Sequence, residues 1–125
     1  MLKIKFFIFL FISIAFSSCA QNEKSEQEIL QSKINHGKAL YAKDCIVCHG
    51  QKAEKAYMGE VPPIKDLDFA VRLEMMKQYK NGGLGEKGAY GLANVKQDVM
   101  LKLSQDDMEH INLYIQTLIS EEKNK

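Results

Sequence analysis

Along most of this chain, apolar residues recur at three- and four-residue spacings. Nowhere do they keep the two-residue alternation of a strand. The pattern predicts an all-α fold. A first helix falls at about residues 28–43, with Leu30, Ile34, Gly37 and Tyr41 on one face. A second falls at about residues 66–80, with Leu67, Ala70, Val71, Met75 and Tyr79 inward and Asn81-Gly82 as its C-terminal stop. A third begins at Ser104, which forms a capping-box-like pair with Asp107. Met108, Ile111, Ile115, Leu118 and Ile119 then repeat at helical spacing to about Ser120, and residues 121–125 read as a frayed tail.

Two stretches have no period. Residues 50–65 hold Pro62-Pro63, and residues 82–100 hold Gly82, Gly83, Gly85, Gly88 and Gly91. Loops this long in a small domain usually wrap something. A chain of 125 residues holds one small domain, and three short helices bury little apolar surface by themselves. A staple beyond the hydrophobic core is expected.

The N-terminal pattern is different. Lys3 and Lys5 precede an apolar run from Phe6 to Phe16, and Ser17-Ser18-Cys19 follows. A charged start, a short apolar run and small residues read as a secretory signal over residues 1–18. The run is shorter than the roughly 20 residues that span a bilayer. Ser17-Ser18-Cys19 also resembles the lipobox of bacterial lipoproteins, in which the Cys becomes the lipidated N-terminus; the alternative is an ordinary signal cut near Ala20. Residues 19–27 then read as the lipid-anchored Cys and a flexible tether, and residues 28–120 as the folded domain. The formal net charge is +1, and losing Lys3 and Lys5 leaves the remainder close to neutral. No basic field suggests nucleic acid. Three Cys do not make a simple disulfide framework.

Cys45-Ile46-Val47-Cys48-His49 carries the chemistry. Cys-x-x-Cys-His is the attachment pattern of c-type haem. Two thiols two residues apart add to the two vinyl groups on one porphyrin edge, and the adjacent His gives its imidazole to the iron. A thioredoxin-like redox pair would need a βαβ setting, which is missing here. Half of a zinc site would need further ligands from His36, His49 or His110. The motif therefore predicts one covalent haem held by Cys45 and Cys48, with His49 as proximal iron ligand.

From about His36 to Leu118 the chain resembles small bacterial class I cytochromes c. Gly37-Lys38-Ala39-Leu40-Tyr41 is similar to that family's first-helix signature, and Cys45 to Gly50 to its attachment segment. Val61-Pro62-Pro63-Ile64 resembles the proline segment whose carbonyl receives the axial His proton, and Asn81-Gly82-Gly83 the turn closing the middle helix. Leu103 to Asp107 and Tyr114-Ile115 resemble the start and inner aromatic of the last helix. The resemblance implies three to five helices around the haem, with Pro62, Gly37 and Tyr114 forming the haem pocket and its packing. It also implies that first and last helices cross at Gly37, against Tyr114. The family places a Met on the far side of the iron. Met100 is the first choice, Lys96 as a neutral amine the second, and an open or water-filled position the third. Met58 is a weaker candidate; Met75, Met76 and Met108 read as core, and His36 and His110 as surface or packing residues.

The expected role is one-electron transfer at the periplasm or cell envelope, between redox partner proteins. No paired carboxylates or Ser-His constellation supports an enzyme. The competing roles are a haem-based sensor or ligand-binding protein, and a cytochrome subunit of a larger oxidase or reductase.

Overall fold

The computed structural model describes residues 17–56, 61–83 and 92–124. Residues 1–16, Met58, Gly85, Gly88, Gly91 and the side chain of Cys19 lie outside what is described. Among the described residues there are five α-helices and no strand. They are α1 (Ser17–Asp44), α2 (Ile46–His49), α3 (Phe69–Lys80), α4 (Ala93–Leu101) and α5 (Gln105–Lys123), with a 3-10 turn at Ile64–Asp66 between α2 and α3. The chain divides into two units, Met1–Ser32 and Lys33–Lys125.

In the first unit, the stretch expected as a tether is helical from Ser17 onward. Polarity there does not oppose a helix: Glu23, Lys24, Glu26, Gln27 and Glu28 are good helix formers, and neither Gly nor Pro interrupts them. Leu30 is exposed rather than on the inner face.

In the second unit, the buried stripe of α1 is Gly37 and Tyr41, and Cys45 continues it at the same four-residue spacing just past the helix end. It packs against Leu103 and the inner face of α5, where Met108, Ile111 and Ile115 are each almost fully buried. Burying an Ile fully contributes about 1.5–3 kcal/mol, so this cluster anchors the unit. The start of α5 follows the sequence closely. The Ser104 hydroxyl accepts from the Asp107 backbone N–H at 3.0 Å, and the Asp107 carboxylate accepts from the Ser104 N–H at 2.8 Å. Its end runs into the expected frayed tail, as far as Lys123. Glu122 there is held by an ion pair with Lys65 of the 3-10 turn at 2.8 Å.

The helix expected from residue 66 starts three residues later, at Phe69, behind the 3-10 turn. Its expected inner face is partly wrong. Ala70 and Val71 are exposed, and the buried residues are Arg72 and Tyr79. The C-terminal stop is as expected. The N–H of Gly83 donates to the Gln78 carbonyl at 2.9 Å, and that of Gly82 to Tyr79 at 3.2 Å. Gly82 has φ +69°, so the pair closes α3 as a Schellman motif. The largest departure is α4. Residues 93–101, expected as part of a glycine-rich loop, form two and a half turns of helix against α3. Met100 therefore sits in the last turn of a helix, not in a loop.

Candidate cofactor site

The short helix α2 adds one further helical turn directly behind the end of α1. The Cys45 N–H donates to the Tyr41 carbonyl at 3.0 Å, and the His49 N–H to the Cys45 carbonyl at 3.0 Å. The hydroxyl of buried Tyr41 donates to the Gly50 carbonyl at 2.7 Å, which ties the motif to the core. One face of this turn opens on a cleft of about 670 Å³, counted out to its open mouth. Cys45 and His49 form one wall; Val61, Pro62, Ile64 and Leu67 form the next. From α3 come Arg72, Met75, Met76 and Tyr79; from α4, Lys96 and Met100. The inner face of α5 closes the back with Ile111, Asn112 and Ile115.

The residues fit a covalently held haem on several counts. The walls are mainly aliphatic side chains and methionines, suited to a flat apolar macrocycle. His49 is half-buried, and that burial followed by the charge of Lys96 lowers its pKa below the ordinary 6.5, which favours the neutral ring that ligates metal. Its Nδ1 is buried with no hydrogen-bond partner. The proline-segment carbonyl thus does not receive that proton here, although Pro62 does line the cleft as expected. Cys45 is 7% exposed, and burial first, then the charges of Asp44 and Cys48, pushes its thiol up to about 12. A protonated, buried thiol suits a thioether linkage better than a metal thiolate. Cys48 is partly exposed, and neither Cys is in a disulfide.

Both expected distal donors reach the cleft. Lys96 and Met100 lie one turn apart on α4, so a single helix face carries the amine and the thioether. The Lys96 ammonium donates to the Tyr79 hydroxyl at 3.1 Å and lies 4.9 Å from the centroid of that ring. Met75 and Met76 also line the cleft, where the sequence pattern placed them simply in the core. Met108 is core, as expected.

Gly37 and Tyr114 serve packing and do not line the cleft. The crossing at Gly37 is real, and what lies nearest there is the backbone of His110 and Ile111. A β-carbon there would lie 2.8 Å from the Ile111 backbone nitrogen and closer still to the His110 carbonyl. Tyr114 meets Tyr41 edge-on, with ring centroids 5.5 Å apart. Gly37 sits one turn before Tyr41 and so abuts a point one turn earlier on α5. His36 and His110 also meet edge-on, at 5.4 Å, and His36 pairs with Asp107 at 2.8 Å. Among the described residues, no group of three or more His, Cys, Asp or Glu side chains is placed to hold a metal ion. The zinc alternative finds no ligand set there. The cleft residues missed in the sequence are Arg72 and Asn112, polar interruptions of apolar faces with no motif of their own.

The model of the Cytochrome c family matches residues 34–118 of this chain. The protein belongs to the cytochrome c family: it is a haem-binding electron carrier with one covalently bound c-type haem. Bound in such a site, haem supplies a one-electron couple at iron, and the protein sets its ligation, burial and access. The searches of curated proteins and of solved structures each found no match.

Proposed function

We propose that this chain is a bacterial, lipid-anchored cytochrome c that passes single electrons between redox partner proteins of the cell envelope, on the periplasmic side. In this reading Cys45 and Cys48 carry the haem, His49 is the proximal ligand and Met100 the distal one. The observation that carries it is the placing of Cys45 and His49 side by side on the wall of a mainly apolar cleft. Export is supported by the charged and apolar start of the chain, and anchoring by Cys19 behind it. Among the described residues no helix is long and apolar enough to cross a membrane. Lipid on Cys19 would supply the membrane attachment. On this reading the protein acts as a carrier of electrons rather than as an enzyme.

The test is carbon monoxide binding to the reduced protein at neutral pH, alongside reversible voltammetry. A six-coordinate carrier cycles reversibly and leaves its spectrum unchanged under carbon monoxide. Ready carbon monoxide binding favours the sensor or ligand-binding reading instead. Stable co-purification with an oxidase or reductase favours the subunit reading.

A further inference from the structure

Arg72 is 4% exposed, yet it joins none of the ion pairs among the described residues. Its Nε donates to Asn112 Oδ1 at 2.9 Å, and its Nη1 to the Leu67 carbonyl and, at 3.4 Å, to the Ile64 carbonyl. Nη2 donates to Gln116 Oε1 at 3.2 Å. A guanidinium has five N–H donors, so one, on Nη2, is left over. Every acceptor is neutral. Asp68, on the same helix approach, acts on the guanidinium through space but does not pair with it, and burial lowers the Arg72 pKa. A buried cation carries a desolvation penalty that neutral acceptors offset only in part.

The same side chain lines the cleft, next to Asn112. A haem entering that cleft brings two propionate carboxylates and no other anionic groups. We propose that Arg72 is the anion-binding residue of this cleft, pairing its charge and its remaining Nη2 proton with one haem propionate. The inference rests on the cleft being the haem site, not on the location or partners of the protein. Arg72 thereby does two things. It clamps the 3-10 segment and α5 to α3 through neutral acceptors, and it keeps one propionate ionised in both oxidation states of the iron. The other titratable side chains lining the cleft are Cys45, His49, Tyr79 and Lys96. Asn112, Ile111 and Ile115 from α5 carry no charge, and Lys65 of the 3-10 turn is engaged by Glu122. Lys96 is the competing cation, and it is directed to Tyr79.

The experiment uses holoprotein carrying haem labelled with carbon-13 at the propionate carboxyls, followed by NMR and by voltammetry across pH. Haem staining on denaturing gels first confirms that the haem is covalently held in each variant. In the wild type, one carboxyl signal stays fixed between about pH 5 and 8. In Arg72→Gln that signal titrates in the same interval and the reduction potential becomes pH-dependent there; Arg72→Lys restores the fixed signal. If both wild-type carboxyls titrate in that interval, the proposal is wrong even should the Gln variant fail to fold. It is equally wrong if wild type and a folded, haem-loaded Arg72→Gln give the same curves, since Arg72 is then only a clamp. A Lys96→Gln variant that releases the fixed carboxyl while Arg72→Gln does not would assign the pairing to Lys96 and overturn it as well.

Discussion

Gly37 lies directly against the backbone of His110, where α1 and α5 cross: a β-carbon at 37 would overlap the His110 carbonyl and lie 2.8 Å from the Ile111 nitrogen. The obstacle is backbone, which cannot rotate away as a side chain can. Replacing Gly by Ala within a helix ordinarily gains about 0.5–1 kcal/mol. Here overpacking, typically about 1–3 kcal/mol, opposes that gain. Gly37→Ala is expected to lower holoprotein stability by about 1–2 kcal/mol in guanidinium unfolding. A more stable variant would mean that the helices do not meet there.

A second contact joining α1 to α5 responds to pH. The Asp107 carboxyl is pulled from 3.8 down to about 2, first by His36 and then by the Ser104 N–H and hydroxyl. Its folded value lies below its unfolded one. Its contribution is therefore full above about pH 4 and is lost as pH falls toward about 2. The Asp107 side chain is partly exposed and its partner His36 more so, so solvent screening keeps the effect modest. Asp107→Asn should flatten the fall of the unfolding midpoint between those pH values, with less change at neutral pH. An unchanged acid profile would show that the pair does not form in solution.

How far the sequence reveals this architecture depends on which signals are local. The capping box of Ser104 and Asp107 and the Asn81-Gly82-Gly83 stop are written in adjacent residues, and each appears as read. Helix α4 was hidden for a physical reason. It starts from Leu92 in the left-handed region, with no side-chain cap. Two of its apolar residues, Val95 and Leu101, are more than half exposed, so no clean buried stripe marks it. Arg72 was hidden because charge at an inward position breaks the apolar period that identifies an inner face. Its acceptors come from two separate segments, the 3-10 turn and α5, that only the fold brings together. Spacing alone does not fix the register of two crossing helices, so the backbone of His110 and Ile111 facing Gly37 is visible only in the fold.

The distal ligand is testable through the two residues that α4 presents to the cleft. Met100→Ala is expected to lower the reduction potential, since a thioether ligand raises it, and to admit carbon monoxide to the reduced iron. Lys96→Ala should do little to the spectrum, because its amine is committed to Tyr79. A larger change in Lys96→Ala assigns ligation to the amine. No change in either variant leaves the position open, or filled from elsewhere in the chain.

Lipidation of Cys19 is expected in the native host. Mass spectrometry of the mature N-terminus should find Cys19 as the first residue, carrying more than one acyl chain, because a single chain binds membranes only marginally. A mature chain that begins at an unmodified Ala20 or Gln21 would show simple secretion.

The account stands most directly on covalent haem attachment at Cys45 and Cys48. The measurement is haem staining of denaturing gels, paired with the intact mass of the purified chain, for wild type and for the Cys45→Ala/Cys48→Ala double variant expressed with a haem attachment system. The wild type should run as a stained band at the mass of one chain plus one haem. The double variant should lose both the stain and the added mass, with each single variant much reduced. A double variant that keeps its stain, or a wild type without the added mass, would contradict the account.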